Sequence, residues 1–176
     1  NATNKYFSEN QKKNKDQHQL SNLLMNDCFS VPEYFKSKNE KLYDFSKNVG
    51  KEDIENAKII SSVCLNLENQ MKLIGLRDYV DQILDTIKFF KENESYIPEF
   101  DHVLIDEYQD VNAMQIELID LIKKNNLFAV GDPRQSIFGW RGSDISYILK
   151  FGEDLDDCEK IYLIKNYRSN RKIVEF

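Results

Sequence analysis

The first half of the chain has the apolar spacing of amphipathic helices. Between about residues 20 and 94, apolar side chains recur every three or four positions, in stripes at 20–28, 54–67 and 79–90. That spacing predicts helices that each bury one face against a neighbour. Asp78 stands just before the third stripe and is predicted to cap its helix, and Pro32 stands where a helix could start. These stripes indicate a helical core and carry no chemistry.

The pattern changes at Pro98, after which short apolar runs alternate with helical stretches. The runs HVLID, LFAVGD and KIYLIKN each end in polar residues and predict three strands. Between the first two, Asn112 and Gln115 have the spacing of a capping box, which predicts the start of a helix. Ser143 and Ser169 are predicted to cap two further helices. Strands that alternate with helices imply crossover connections and a parallel sheet.

These patterns divide the chain into three parts. Residues 1–19 are polar with few bulky apolar side chains, so we expect a flexible segment. Residues 20–97 are expected to form a mostly helical subdomain. Residues 98–176 are expected to form a unit with a partial parallel sheet and flanking helices. The predicted fold class is therefore α/β.

Composition excludes several classes of protein. The chain has 176 residues, 41% hydrophobic and 31% charged, which is typical of a globular domain. It has no apolar run long enough to cross a bilayer and no secretory signal, so we expect no membrane partner. The three cysteines lack a CxxC pattern, which argues against a disulfide framework or a zinc site. A cytoplasmic location is expected.

The charge of the chain limits how it could bind nucleic acid. A net charge of −6 argues against binding through bulk positive charge. It leaves open a local groove in which bases stack on aromatic side chains, at about 1–3 kcal/mol per base. Phe138 and Trp140 alternate with Ile137 and Arg141 in a turn-rich segment that suits such stacking. The alternative is that both aromatic residues are ordinary core anchors.

Polar residues follow all three predicted strands, at the edge where an open parallel sheet binds ligands. Asp106 and Glu107 follow the first strand, Asp132 the second, and residues 166–168 the third. A carboxylate such as Asp106 suits Mg²⁺ beside the phosphates of a nucleotide, and Glu107 could polarise an attacking water. By themselves, two adjacent acids more often mark a strand that enters a polar loop.

Three further side chains suit the binding of a nucleotide, two at its phosphates and one at its base. Gln135 offers an amide that can orient a water or touch a phosphate. Arg168 could stabilise charge on a transferring phosphoryl group, and Tyr167 could stack on a nucleobase. For a lone arginine, the alternative is a surface residue at the start of a helix.

Taken together, three segments carry a resemblance. They are IDEYQD (105–110), VGDPRQSIFGWRG (130–142) and LIKNYRS (163–169). In residues, order and spacing they resemble motifs II, III and IV of the UvrD/Rep/PcrA-type superfamily one DNA helicases. The resemblance implies a RecA-like motor core that uses ATP and Mg²⁺ and acts on single-stranded DNA. By position, the residues before Pro98 resemble the helical subdomain inserted into the first motor domain.

The resemblance implies roles at the nucleotide. Asp106 would coordinate Mg²⁺, and Glu107 would be the catalytic base. Gln135 would sense the γ-phosphate and Arg168 would reach it, while Tyr167 would pack on the adenine.

The resemblance also implies roles in DNA binding and coupling. Phe138 and Trp140 would stack on single-stranded DNA, and Arg141 would link that contact to the acidic motif. The residues expected to support this coupling are Gln109, Asp110 and Asp132.

One part of the family's motor is missing from this sequence. No G-x-x-x-x-G-K-[ST] loop occurs, and the six glycines cannot supply one. Since hydrolysis needs that phosphate cradle, we expect a fragment that neither hydrolyses ATP nor unwinds DNA alone. Its partner would be the missing remainder of the helicase chain.

Other interpretations stay open. A degenerate helicase-like module could bind nucleic acid or a partner without turnover. Pro133 and Asp144 fit the related RecB/AddA helicase–nucleases, whereas Trp140 and Tyr167 fit UvrD better. An exposed strand edge could also pair with a second copy of the chain, so a homodimer is a further expectation.

Overall fold

The computed structural model describes residues 17–47, 49–124, 126–153 and 157–175. Most of the predicted flexible segment 1–19 lies outside these residues, and its last three residues belong to the first helix. The α-helices are α1 (Gln17–Ser37), α2 (Ile54–Leu73), α3 (Tyr79–Glu92), α4 (Ala113–Ile122), α5 (Ser146–Leu149) and α6 (Arg171–Val174). The strands are β1 (Val103–Ile105) and β2 (Leu127–Ala129). No helix in the described ranges is long and apolar enough to cross a membrane.

The helical half closes around a core of its own. The amphipathic stripes of α1 and α2 face each other, and a 3₁₀ turn at Leu42–Lys47 covers one end. The buried residues of this cluster are Leu20, Leu24, Cys28, Phe35, Leu42, Ile60 and Cys64. The stripes predicted at 20–28 and 54–67 are therefore confirmed as core.

Pro32 lies inside α1 and does not start it, so that prediction was wrong. A proline has no N–H, so the carbonyl of Cys28, four residues earlier, loses its helical donor. The buried thiol of Cys64 donates to that carbonyl at 3.1 Å. Burial raises the pKa of Cys64 to about 12, so the thiol keeps the proton that it donates. A contact between helices thus replaces the lost bond.

Lys36, near the end of α1, ties together all three long helices. Its ammonium donates to Asp81 at 2.7 Å and to Asp78 at 3.0 Å, and it pairs with Glu68 at 3.2 Å. Partial burial alone would lower the pKa of Lys36, but the bonds to Asp81 and Asp78 outweigh it and raise that pKa. Asp78 and Asp81 also form the capping box of α3, which confirms the predicted cap.

The second half contains a small parallel sheet. Strands β1 and β2 pair in the register Val103 with Leu127, Leu104 with Phe128 and Ile105 with Ala129. Helix α4 connects them and packs against α3. The predicted capping box of Asn112 and Gln115 begins this helix, with the Gln115 N–H 2.9 Å from the Asn112 side chain. This half confirms the predicted α/β class with a partial parallel sheet.

The third predicted strand, KIYLIKN, does not join the sheet among the described residues. Leu163 is 90% exposed and Ile164 is 95% exposed. A buried parallel strand needs a covering layer on each face. One face of the sheet has no such layer, because Leu104 and Phe128 are themselves exposed.

The two predicted serine caps are each replaced by the next residue. The carboxylate of Asp144 accepts the Ser146 N–H at the start of α5, and the side chain of Asn170 caps α6. Asp, Asn and Ser are about equally favourable caps, so the position of the helix start, and not the residue type, decides which side chain caps it. The buried hydroxyl of Ser143 has no hydrogen-bond partner within the described ranges.

Candidate functional site

The candidate site lies where β1 and β2 end. The acidic loop at 106–110 follows β1, and the loop at 130–142 follows β2. Beyond the strands, the Val130 N–H donates to Ile105 at 2.8 Å and the Tyr108 N–H donates to Val130 at 2.9 Å. These bonds hold the two loops side by side, as the position of the polar residues predicted.

Glu107 has an unusual backbone conformation. Its φ of 51° and ψ of 42° lie in the left-handed region, which few residues other than glycine, asparagine and aspartate adopt. Its N–H donates to the Asp106 carboxylate at 2.9 Å, and its carbonyl accepts from the Asp110 N–H at 2.9 Å. Such strain persists where the surroundings fix it, and it is frequent at functional sites. Both carboxylates, Asp106 and Glu107, are exposed to solvent.

Gln109 connects the two loops through a buried amide. Only 1% of the residue is exposed. Its Nε2 donates to Glu107 Oε2 at 2.8 Å, and its Oε1 accepts from the Asp132 N–H at 3.0 Å. Its carbonyl also accepts from the Ser136 hydroxyl at 3.3 Å. A single side chain therefore orients the carboxylate of Glu107 and holds the start of the second loop.

Gly131 makes room for this amide. A Cβ at Gly131 would lie 2.6 Å from Gln109 Oε1, 2.7 Å from Ile148 Cδ1 and 3.1 Å from the Tyr108 nitrogen. Because Gln109 has almost no free space around it, any side chain at Gly131 would displace the amide.

Asp132 organises the start of the second loop. Its carboxylate accepts from Gln135 Nε2 at 2.9 Å and from the Arg134 N–H at 2.9 Å. The bond from Gln135, and then that from Arg134, lower the pKa of Asp132. Gln135 is exposed, so its amide is oriented by Asp132 and faces solvent beside the acidic loop.

The site offers few ligands for a metal ion. The described residues contain no group of three or more His, Cys, Asp or Glu side chains that could hold a metal ion. Mg²⁺ in nucleotide sites uses one or two carboxylates and takes its other ligands from water and phosphate. The exposed carboxylate of Asp106 could serve as such a single protein ligand. It does not fit a metal site that takes all of its ligands from the protein. Nearby, Asp110 has a buried Oδ1 with no donor from the described ranges.

The 3₁₀ turn Gly139–Arg141 presents an aromatic surface. The guanidinium of Arg141 lies 4.9 Å from the Trp140 ring centre and 5.8 Å from that of Phe138. Trp140 is 66% exposed, so it is not a core anchor, whereas Phe138 is half-buried. In the described part of the chain, the Arg141 side chain makes no hydrogen bond or ion pair with the acidic loop.

Tyr167 and Arg168 stand apart from this group. Both are exposed, and the Arg168 and Ser169 N–H groups bond to the Asn166 side chain at 2.9 Å. Lys165 lies 4.8 Å from the Tyr167 ring. Among described residues, neither Tyr167 nor Arg168 contacts Asp106 or Gln135. The structure thus brings together the first two motif segments but not the third.

The structure adds one residue that the sequence did not single out. Ser37, at the end of α1, is buried, and its hydroxyl lies 3.0 Å from the Arg141 carbonyl. No local signal marks this serine, because the contact joins residues 104 positions apart.

Comparison with known proteins shows the family to which this chain belongs. A model of the UvrD/REP helicase N-terminal domain matches residues 2–156. The chain belongs to the UvrD/Rep helicase family. It is 38% identical over 124 residues to the ATP-dependent DNA helicase PcrA of Staphylococcus epidermidis, and 37% identical over 124 residues to that of Staphylococcus aureus.

The match to the UvrD/Rep family model covers only part of the three motif segments. It contains the acidic loop and the loop at 130–142 but ends before the segment LIKNYRS. The alignments with PcrA cover 67% of this chain and 17% of each relative. The chain therefore spans a small part of the length of the curated relatives that it matches.

Proposed function

We propose that this chain is part of an ATP-dependent DNA helicase that moves along single-stranded DNA. The buried amide of Gln109 carries the proposal, because it joins the carboxylate of Glu107 to the loop that holds Gln135 and Trp140. A purely structural loop would have no need for a strained glutamate whose carboxylate is both oriented and exposed. The similarity to helicases named PcrA supports the same activity.

In this proposal, Glu107 is the general base of ATP hydrolysis. Its carboxylate takes a proton from the water that attacks the γ-phosphorus, and ADP leaves as the terminal bond breaks. Gln135, oriented by Asp132, senses the γ-phosphate. Asp106 would hold Mg²⁺, which neutralises charge on the phosphate oxygens when it is bound.

Tyr167 and Arg168 complete the nucleotide site in this proposal. Tyr167 packs on the adenine and Arg168 reaches the γ-phosphate. Both lie on an exposed segment that makes few contacts of its own, so they would take up these positions only against further parts of the motor. The missing remainder of the helicase chain is therefore the principal partner, in the cytoplasm.

DNA binding is assigned to the aromatic turn. Trp140 and Phe138 stack on bases, and Arg141 supports them from the ring face. The buried carboxylate oxygen of Asp110, which has no donor among the residues that the structure describes, supports the idea that Arg141 can link this turn to the acidic loop. Gln109 and Asp132 would carry the same coupling through the backbone of the second loop.

The RecB/AddA alternative stays open. Pro133 begins the 3₁₀ turn Pro133–Gln135, and Asp144 accepts the N–H at the start of α5. Both residues thus have structural reasons to be present in either branch of the family.

The test is ATP hydrolysis with and without single-stranded DNA, measured on this chain and on the longer polypeptide that contains it. We expect turnover only in the longer polypeptide, with stimulation by DNA, because this chain lacks the phosphate-binding loop. A longer polypeptide that binds DNA but never hydrolyses ATP would favour the module without turnover. Hydrolysis by the 176 residues alone would contradict the fragment proposal.

A further inference from the structure

A contact between two aromatic rings lies directly behind the acidic loop. Tyr108, the residue after Glu107, is 7% exposed, and its ring packs edge to face against that of Phe151, with ring centres 5.1 Å apart. Phe151 lies outside the three motif segments, just after the end of helix α5. The contact therefore joins the loop that carries Glu107 to a part of the chain that the motifs leave out.

Tyr108 anchors one side of a strained residue. The left-handed conformation of Glu107, with a φ of 51°, persists only where its surroundings fix it. On the N-terminal side, the Asp106 carboxylate accepts the Glu107 N–H. On the C-terminal side, the Tyr108 N–H donates to Val130 at 2.9 Å, and the Tyr108 ring packs against Phe151. The buried ring thus helps to fix the backbone on the C-terminal side of Glu107.

Helix α5 supports this anchor from behind. It packs against the 3₁₀ turn Tyr108–Asp110. Its Ile148 also reaches the second loop, because a Cβ at Gly131 would lie 2.7 Å from Ile148 Cδ1. The Phe151 N–H donates to the Ile148 carbonyl at 3.3 Å, which ties Phe151 to the same helix. One short element therefore contacts both loops of the candidate site, next to Glu107 in one loop and next to Asp132 in the other.

Tyr108 acts through its ring and not through a charge. Burial, and then the negative charge of Asp120, raise the pKa of Tyr108, so the phenol stays neutral at pH 7. An edge-to-face pair favours a defined distance and angle between its rings. Loss of either ring would leave a space behind the turn, into which the strained backbone could relax.

We propose that Tyr108 and Phe151 are positioning residues for ATP hydrolysis, whose ring contact holds Glu107 in the conformation that directs its carboxylate at the attacking water. This role rests on the proposed function and extends it to Phe151, a residue outside the motif segments. Because Tyr108 is buried beneath the loop, the contact affects the chemical step and not the binding of ATP.

The test measures kcat and KM for ATP in the longer polypeptide, with single-stranded DNA present. The variants are Tyr108→Leu, Phe151→Leu, the two changes combined, and Tyr108→Phe. Phe45→Leu is the matched control, because it removes an edge-to-face contact of the same kind, with Phe35 at 5.5 Å, in the core of the helical half. The folded fraction of each variant is measured by circular dichroism, and kcat is expressed per folded molecule.

Tyr108→Leu and Phe151→Leu should each lower kcat about tenfold or more, since a small displacement of a catalytic group can cost up to about 100-fold. The KM for ATP should stay unchanged, because the lost effect belongs to the transition state. The combined variant should be no slower than the slower single variant, since both changes remove one contact. Tyr108→Phe should keep the wild-type kcat because it retains the ring, and Phe45→Leu should also keep it.

Several outcomes would overturn the positioning role. One is a kcat for Tyr108→Leu and Phe151→Leu that matches the Phe45→Leu control. Another is a raised KM with an unchanged kcat, which would make the contact a feature of ATP binding. Losses that multiply in the combined variant would show that the two rings act separately. If Tyr108→Leu does not fold, Phe151→Leu still decides the question, because Phe151 is only half-buried.

The same experiment separates this role from the proposed function. If Glu107→Gln lowers kcat but neither ring variant does, the positioning role is overturned and the proposed function survives. If the wild-type polypeptide hydrolyses no ATP, the proposed function fails and the positioning role fails with it.

Discussion

The two halves of the molecule differ in how completely they bury their apolar side chains. In the helical half, Cys64 is 0% exposed and α1, α2 and the turn at Leu42–Lys47 close around it. In the α/β half, Leu104 is 73% exposed and Ile164 is 95% exposed. The half with the closed core supplies packing, and the half with the open sheet supplies the candidate chemistry. An open sheet fits a chain whose aligned part covers 17% of the PcrA relative.

The halves meet through a few specific contacts. Lys91 of α3 pairs with Glu117 of α4, and Ser37 bonds to the Arg141 carbonyl. Helix α3 also packs against α4, so the helical half supports the α/β half both at α4 and at the Gly139–Arg141 turn. This comparison predicts that the largest losses of stability follow substitutions in the helical half, whereas substitutions at the exposed loop residues of the α/β half change activity.

The largest stability effect is expected in the helical core. Ile60→Ala should lower the free energy of unfolding by about 2–5 kcal/mol, because it removes buried methylene groups and leaves a cavity. Leu104→Ala should change it by less than about 0.5 kcal/mol, since that side chain is exposed. Urea denaturation of both variants measures the difference. If both variants lost the same free energy of unfolding, the exposed face of the sheet would be covered in solution. That result would contradict the difference in burial between the two halves.

The capping box of α3 should make stability depend on pH. Burial alone would raise the pKa of Asp81, but the bond from Lys36, the bond from the Asp78 N–H and the charge of Lys36 together outweigh it and lower that pKa. The stabilisation is therefore complete above the ordinary aspartate pKa of about 3.9 and is lost as the pH falls through the lowered value.

Asp81→Asn tests this dependence. It should cost about 1.5–3 kcal/mol at pH 7, the range for hydrogen bonds to charged groups, and the difference from the wild type should shrink below about pH 4. Asp85→Asn is the control, because its pair with Arg77 is on the surface and contributes little. If the difference in free energy of unfolding between Asp81→Asn and the wild type stayed constant from pH 7 to pH 3, the ion pair with Lys36 would not be its cause.

In the α/β half, Gln109→Leu should destabilise the fold by about 1–3 kcal/mol. The change keeps the size of the side chain but leaves the partly buried Asp132 N–H without its acceptor. Gln70→Leu, at an exposed position on α2, serves as the control. Urea denaturation measures both variants, and a Gln109→Leu protein as stable as the wild type would show that the amide does not join the two loops.

Local sequence signals predicted local structure well. The cap at Asp78 and the capping box at Asn112 were predicted correctly, because a cap and the N–H groups that it binds are only a few positions apart. The polar cluster at the ends of β1 and β2 was also predicted, since strand direction fixes it. The roles of its residues remain predictions.

Features that depend on distant contacts were missed. KIYLIKN has the composition of a strand, but no neighbour in the described ranges covers it. Pro32 lies inside α1, where Cys64 on another helix replaces the missing donor. The contact of Ser37 with the Arg141 turn likewise has no signature near either residue.

The smallest expected effect concerns self-association. Both strands of the sheet have a free edge among the described residues, which favours pairing with a second copy. Light scattering over a concentration series should show a weak dimer, and Phe128→Lys on the exposed face of β2 should reduce it. A monomer at every concentration would rule the homodimer out.

The most direct test of the account is the turnover number for ATP in the longer polypeptide carrying Glu107→Gln. The account predicts that kcat falls about 100- to 10,000-fold while the protein remains folded and still binds DNA, because the variant loses only the general base. Glu52→Gln, at an exposed position in the helical half, should behave like the wild type. A Glu107→Gln protein with the wild-type kcat would contradict the assignment of the acidic loop as the catalytic centre.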